Sequence, residues 1–134
     1  MLRRVQKYIR DKELLQAGDR VLVCVSGGAD SIALLDVLQR GGYDCVIAHC
    51  NFHLRGEESD RDEAFVRELG DKIAIREGEE ANVIVQHFDT ATYAKKQGLS
   101  IEMAARKQRY EWFAQVAQAE RCKAIAVAHH QNDQ

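Results

Sequence analysis

The sequence predicts an α/β fold in which helices cover both faces of a mostly parallel sheet, a three-layer α/β/α sandwich. Short β-branched apolar runs alternate with amphipathic stretches, a glycine-rich turn joins the first run to a helix, and none of the 134 residues is proline. Strands buried on both faces of a parallel sheet read as nearly continuous apolar runs. Strands that alternate with helices need crossover connections. The length suits a single domain over residues 1–134.

Four apolar runs are the candidate strands, and apolar residues at helical spacing predict four helices, one before the first strand and three between the strands. The strands are predicted over 20–25, 45–48, 83–85 and 124–128. The helices are predicted over 3–16, from the glycine turn to Gly41, from about 60 to 80, and from Ser100 to about 120. In the third of these, Ser59 with Asp62 three residues later is the predicted cap, and Gly70 is a predicted weak point. The segment between the third strand and Ser100 is predicted to be looser. The apolar stripe of the last helix is predicted to comprise Ile101, Ala105, Trp112, Phe113 and Val116.

Composition excludes several classes of protein. The net charge is -2 and 30% of the residues are charged, so the chain is neither a disordered polyanion nor in its own right a basic nucleic-acid clamp. No C-x-x-C pair occurs among the four cysteines, which indicates reduced, mostly buried thiols. No apolar run approaches the roughly 18 residues of a membrane span, so we expect a soluble, cytoplasmic protein.

The turn after the first strand reads Ser26-Gly27-Gly28-Ala29-Asp30-Ser31. Adjacent glycines let the main chain turn tightly, and the helix that follows adds its positive end, which together favour an anion. The spacing matches neither G-x-x-x-x-G-K-[ST] nor G-x-G-x-x-G. An alternative is a simple glycine turn in which serine and aspartate cap the helix.

This turn resembles the S-G-G-x-D-S loop of the ATP pyrophosphatase, or PP-loop, family, which has a Rossmann-like fold. The resemblance implies that the loop binds the β- and γ-phosphates of ATP and leaves the α-phosphate open to attack. A carboxylate beside phosphate is repulsive unless a cation lies between them, so Asp30 is a candidate Mg²⁺ ligand. Alternatively Asp30 only complements the helix dipole. The implied nucleotide-binding residues are Ser26, Gly27, Gly28, Ala29, Asp30 and Ser31.

A histidine-rich segment follows the second strand. As bare chemistry, Cys50 with His49 and His53 is a candidate metal site that lacks a recognisable fourth ligand, and a loop of satisfied polar groups is the other alternative. The segment resembles the H-x-N-H-x-L-R-x-x-E-S motif of the tRNA(Ile)-lysidine synthetase subfamily of PP-loop enzymes. The matching residues are His49, Asn51, His53, Leu54, Arg55, Glu58 and Ser59, except that Phe52 follows Asn51 where the motif has histidine, so His53 stands one position later.

Two further segments resemble the same subfamily. Residues 100–110 match S-x-E-x-A-A-R-x-x-R-Y and place Glu102, Arg106 and Arg109 on one helix face, which alone would be an ordinary solvated charge ladder. The resemblance implies that Arg109 stabilises charge developing on the α-phosphate. Residues 128–134 match A-H-H-x-x-D-Q, which alone reads as a helix cap and a loop histidine. By resemblance His129 assists Arg109, and Asp133 shares Mg²⁺ with Asp30.

The resemblance implies a ligase that uses ATP to adenylate the C2 oxygen of the wobble cytidine in tRNA(Ile) with a CAU anticodon, after which L-lysine displaces AMP. The catalytic set is then Asp30, Arg109, His129 and Asp133, with ATP and Mg²⁺ as cofactors. We expect no membrane partner, and a homodimer is one arrangement that the sequence allows. We also expect the chain to be truncated at its C-terminal end, with the basic tRNA-binding surface in the absent part. The alternatives are another PP-loop tRNA-modifying enzyme of the 2-thiolation type and a nucleotide-binding module without turnover.

Overall fold

The computed structural model describes residues 16–78 and 82–128. These residues contain four strands, all parallel, in one sheet. They are β1 (Arg20–Cys24), β2 (Asp44–Asn51), β3 (Val83–His87) and β4 (Ala124–Val127). The strand order is β3-β2-β1-β4, which confirms the predicted parallel sheet. The helix predicted over 3–16 lies outside the described residues, apart from its last position.

Helices cover both faces of the sheet, as predicted. They are α1 (Ala29–Arg40), α2 (Glu57–Glu77), α3 (Thr90–Gln97) and α4 (Ile101–Ala119). Successive strand residues point to opposite faces, so Val23 packs with Leu34 of α1 and Val66 of α2, whereas Leu22 packs with Phe113 of α4. The two apolar cores lie on opposite sides of the sheet, and α3 lies against α4. The layers therefore follow the order α/β/α.

A glycine sets the distance between α2 and the sheet. A Cβ built on Gly70 would lie 2.1 Å from Cγ2 of Val83, well inside contact distance. From the sequence, Gly70 looked like a weak point of the helix, yet α2 runs unbroken through it. Gly70 is required by close packing of α2 on β3.

Polar burial explains where strand β2 departs from the sequence prediction. The strand continues past residue 48 to Asn51, so His49 and Asn51 belong to the sheet and not to a loop. Both are polar yet only 3% and 1% exposed, respectively. An apolar run marks only the part of a strand whose buried residues are apolar, which is why the prediction ended too early.

Two helix predictions also need correction. Helix α2 begins at Glu57 and not near residue 60, so Ser59 lies inside it; its hydroxyl accepts a hydrogen bond from the Arg55 N–H at 3.2 Å. The segment predicted to be loose contains α3, which Asp89 caps by accepting from the Thr92 N–H at 3.3 Å. Gly98 ends α3 in the left-handed conformation, with φ +65°.

The cap of α4 is confirmed, whereas its apolar stripe is partly wrong. The Ser100 hydroxyl accepts from the Met103 N–H at 3.1 Å. Ile101 is 43% exposed, and Ala104 is fully buried where the prediction named Ala105. All four cysteines are free thiols, of which Cys24 is buried and the other three are half-buried. Across the described helices, none has the length and apolar character needed to cross a membrane.

Candidate functional site

A pocket of about 280 Å³ lies at the carboxyl ends of the strands and collects the most unusual parts of the sequence. One wall is the turn between β1 and α1, which we call the phosphate loop (residues 26–31). Arg109 and Phe113 of α4 also line the pocket, as do Cys50 and Phe52 and the ends of the central strands. Ligands of open α/β sheets bind at this edge. Two sequence motifs far apart in the chain therefore face one cavity.

The phosphate loop is held by hydrogen bonds among its own residues. Gly27 has φ +99°, a conformation that side chains rarely adopt. The Ser31 hydroxyl donates to the Gly28 carbonyl at 2.9 Å and accepts from the Ser26 N–H at 3.1 Å. The Ser26 hydroxyl accepts from the Gly28 N–H at 3.3 Å. Ser31, only 4% exposed, therefore shapes the loop from beneath.

The first turn of α1 differs from those of α3 and α4 because no side chain caps it. Gly28 occupies the cap position, and Ile32 is the first helical residue whose N–H bonds back to the loop, at 3.2 Å to the Gly28 carbonyl. Among the described residues, the N–H groups of Ala29 and Ser31 have no hydrogen-bond acceptor. Unsatisfied amides at a helix N-terminus favour an anion.

Arg109 reaches the pocket from α4 and contains a buried donor for which the described part of the chain provides no acceptor. Its Nε atom is buried and makes no hydrogen bond within 16–78 and 82–128. Its guanidinium lies 5.1 Å from the centre of the Tyr110 ring. Burial raises the pKa of the Cys50 thiol to about 12, and the positive charge of Arg109 opposes that rise. A buried donor is costly to leave unpaired, so an acceptor entering this pocket gains a ready partner.

The charge ladder considered for α4 does not form. Glu102 and Arg106 are exposed, and no ion pair joins them in the part of the chain that the structure describes. Arg109 instead lines the pocket, so it is not simply one member of a solvated row of charges.

His49 fixes the place where β1 gives way to the phosphate loop. Its Nδ1 lies 2.8 Å from the carbonyl oxygen of Val25. A carbonyl only accepts hydrogen bonds, so Nδ1 carries a proton and donates it to this bond. The other ring nitrogen, Nε2, is buried without a partner among the described residues. His49 is thus a positioning residue, and the structure places it in the sheet and not on the loop surface.

A chain of hydrogen bonds ties the next loop, residues 52–56, to α2 and β3; we call it the histidine loop. His53 Nε2 lies 2.7 Å from His87 Nδ1, and His87 Nε2 lies 2.9 Å from a carboxylate oxygen of Glu63. The same oxygen accepts from the Asn51 amide at 3.1 Å. The Asn51 side-chain oxygen in turn accepts from the His53 N–H at 3.0 Å. The sequence motifs contain neither His87 nor Glu63, so they do not predict these hydrogen bonds.

Arg55 and Asp62 link the histidine loop to the phosphate loop. The Arg55 guanidinium donates to the Asp62 carboxylate at 2.5 Å. Three side-chain atoms of Asp62 lie 3.4 Å from the point where a Cβ on Gly27 would be. From the sequence, Asp62 was only a helix-cap partner of Ser59. Its contact with Gly27 depends on how α2 packs, which no local pattern reveals.

Not every predicted site residue can be located. His129 and Asp133 lie outside the described residues, so their approach to the pocket stays a prediction. The alternative metal site at Cys50 and its neighbouring histidines finds no support, because no group of three or more potential ligands among the described residues is arranged to hold a metal ion. A larger cavity of about 510 Å³ lies at the opposite, amino-terminal edge of the sheet, where Gly18, Tyr43 and Asp44 line it. It contains none of the motif residues.

The pocket has the donor set that a polyphosphate with Mg²⁺ needs. Asp30 lies in the first turn of α1 and lines the pocket beside the uncapped amides. Mg²⁺ is commonly held by one or two carboxylates together with substrate phosphates, and needs no cage of protein ligands. The residues present therefore fit a phosphate group with a metal ion against Asp30.

Comparisons with known proteins find relatives along nearly the whole chain. A family model described as the PP-loop domain matches residues 1–134. The chain is 52% identical over 130 residues to a tRNA(Ile)-lysidine synthase of Bacteroides thetaiotaomicron, a match that covers 97% of this chain and 29% of that protein. It is 50% identical over 133 residues to the enzyme of the same name from Parabacteroides distasonis, covering 99% and 29%, respectively. The corresponding protein of Geobacter sulfurreducens is 38% identical over 140 residues. The chain spans less than a third of the length of these curated relatives.

Proposed function

The chain belongs to the PP-loop domain family, and on that premise we propose that it is the ATP-binding, adenylating part of a tRNA(Ile)-lysidine synthase. In this activity the C2 oxygen of the wobble cytidine is adenylated and then replaced by L-lysine. The observation that carries the proposal is one pocket in which the uncapped end of α1 faces the buried Nε of Arg109, for which the described residues provide no acceptor. The relatives that match nearly the whole chain carry this enzyme name.

The phosphate loop supplies main-chain donors. With Gly27 in a left-handed turn and Gly28 at the cap position, the amides of Ala29 and Ser31 are available to the β- and γ-phosphates of ATP. These donors are fixed before the nucleotide arrives, because the Ser26 and Ser31 hydroxyls already hold the loop. Binding at the outer phosphates leaves the α-phosphate toward the interior of the pocket.

Arg109 is the candidate residue for the reaction step. Its guanidinium stabilises an α-phosphate that gains negative charge when an oxygen attacks it, and the half-buried position strengthens that interaction. Asp30, with Asp133, is proposed to hold Mg²⁺. When bound there, the ion neutralises phosphate charge and favours departure of pyrophosphate. His129 is proposed to assist Arg109.

The partners and setting follow from this activity. We propose ATP, Mg²⁺, L-lysine and tRNA(Ile) with a CAU anticodon as ligands, residues 1–134 as one domain, and the cytoplasm as the compartment. The second candidate is a nucleotide-binding module without turnover, which the phosphate-loop amides that line the pocket would support by themselves. A tRNA 2-thiolation enzyme normally needs reactive cysteines, and the thiolate is the reactive form. It is less well supported, because burial raises the pKa of the Cys50 thiol to about 12, which keeps it protonated at neutral pH.

Mass spectrometry of tRNA(Ile) incubated with the chain, MgATP and isotope-labelled lysine tests the proposal. The expected product is a cytidine that carries the labelled lysine, with AMP and pyrophosphate released in equal amounts. ATP bound without label transfer would support the module instead. No binding of ATP at all would contradict both. Asp30→Asn is expected to remove the Mg²⁺ dependence of ATP binding without unfolding the protein.

A further inference from the structure

Asp62 links Arg55 to Gly27 of the phosphate loop. This link points to a phosphate-binding residue that lies outside the phosphate loop. Asp62 places a carboxylate against Gly27, where three of its side-chain atoms lie 3.4 Å from the position of a Cβ. A negative charge at that position repels a polyphosphate bound on the amides of the loop. The Arg55 guanidinium compensates it at 2.5 Å.

Arg55 is positioned to do more than neutralise Asp62. Its main chain is anchored at the start of α2, since its N–H donates to the Ser59 hydroxyl at 3.2 Å and its carbonyl accepts from the Glu58 N–H at 3.2 Å. Its side chain remains 62% exposed. Only one of its terminal nitrogens, Nη2, bonds to Asp62; the other, Nη1, lies 3.7 Å from the Glu58 carboxylate, which is beyond hydrogen-bond distance.

We propose that Arg55 binds the terminal phosphate of the nucleotide while Nη2 remains paired with Asp62. An arginine has five N–H donors in a planar fork, so it can contact a carboxylate and a phosphate together. Nη1 turns from Glu58 to the phosphate, because an exposed pair at that separation contributes little and phosphate is the more highly charged acceptor. The inference rests on the proposed function, and it assigns to Arg55 the discrimination between nucleotides with and without outer phosphates.

Titration calorimetry on the 134-residue chain tests this with two probes, inorganic pyrophosphate with Mg²⁺ and AMP. Arg55→Gln is expected to lower the affinity for pyrophosphate about tenfold, the loss of one charge-assisted contact, and to leave AMP binding unchanged. Arg61→Gln is the matched control: Arg61 lies near the start of α2, is 74% exposed and, among the described residues, pairs with Glu57 at 3.6 Å. It should bind both probes like the unaltered chain.

A double substitution separates contact from charge compensation. With Arg55 replaced, Asp62 is left uncompensated beside the loop, so Arg55→Gln with Asp62→Asn is expected to regain about threefold of the lost pyrophosphate affinity. Asp62→Asn alone should change affinity less than twofold. The Arg55 Nε–H signal in NMR spectra should shift with pyrophosphate and not with AMP. Thermal unfolding of each variant, including Arg55→Lys, checks that the fold is intact.

The outcomes distinguish this inference from the proposed function. Equal pyrophosphate affinity of the unaltered chain and Arg55→Gln would overturn the role of Arg55 and leave the function standing. A loss for Asp62→Asn as large as for Arg55→Gln would also overturn it, because Asp62 would then act directly. If the unaltered chain binds neither pyrophosphate nor AMP, the proposed function itself fails, and the role of Arg55 fails with it.

Discussion

The phosphate loop and the histidine loop lie side by side at the carboxyl edge of the sheet, yet they are built in opposite ways. The phosphate loop presents main-chain amides and closes its hydrogen bonds over six consecutive residues. The histidine loop presents side chains, and its partners, such as His87, are as many as 34 residues away. A site made of main chain depends on glycines and on helix placement, whereas a site made of side chains depends on distant packing.

This difference explains which features the sequence could predict. The strand, the glycine turn and the helix around residues 26–31 were predicted because the local sequence patterns of these three elements all favour the same structure. The role of His49 was not predicted, because a buried histidine in a strand has no local signature. The contacts of Asp62 and Glu63 were not predicted, because they depend on how α2 packs beside the phosphate loop and β3. Arg109 was suggested by a motif, and its orientation into the pocket needed the structure.

The largest effect is expected from a methyl group in the phosphate loop. Gly27→Ala must adopt φ +99° and meet Asp62, so we expect MgATP affinity to fall about a hundredfold, in keeping with a strained backbone. Gly98→Ala is the matched control, since Gly98 also has positive φ, at +65°, with open space around it. It should lower stability without changing affinity. Equal ATP affinity for Gly27→Ala and the unaltered chain would show that the amides are not the binding groups.

Removing Arg109 is expected to act on rate more than on binding. Arg109→Ala should slow adenylate formation by about a hundredfold and weaken ATP binding much less, because an interaction confined to the transition state lowers the rate constant. Single-turnover kinetics with tRNA(Ile), together with ATP titrations, separate the two effects. Parallel losses in rate and affinity would make Arg109 a ground-state anchor.

The histidine loop is expected to respond through stability and not through affinity. Glu63→Gln disturbs the hydrogen bonds that its carboxylate accepts from Asn51, Arg67 and His87, and should lower the free energy of unfolding by about 1–2 kcal/mol. Glu68→Gln is the control, because its pair with Lys72 is exposed and should change stability by less than about 0.5 kcal/mol. Denaturant titration measures both. A large loss of ATP affinity in Glu63→Gln would contradict this expectation and show that the histidine loop and the phosphate loop form one binding site.

The smallest expected effect is the pH dependence of the difference in unfolding free energy between the unaltered chain and Glu63→Gln. Burial alone would raise the pKa of Glu63, but hydrogen bonds from Asn51 and Arg67 and the charge of His87 hold it below its ordinary value. A group whose pKa is lower in the folded protein stabilises the fold above its unfolded pKa, about 4.3 for glutamate. The stabilising contribution is lost as the pH falls through the lower, folded value. The stability difference between the unaltered chain and Glu63→Gln should therefore persist from pH 7 to about 5 and shrink below about 4. A difference that stays constant from pH 7 to pH 3 would mean that ionisation of Glu63 contributes nothing.

Mapping where a polyphosphate binds tests most directly whether the phosphate loop is the nucleotide site. Backbone amide shifts in NMR spectra of the 134-residue chain, recorded while magnesium pyrophosphate is added, report every contact at once. We expect the largest shifts at Gly27, Gly28, Ala29 and Ser31, and no change at the amino-terminal edge of the sheet. Shifts concentrated at Gly18, Tyr43 and Asp44, which line the larger cavity, would contradict it.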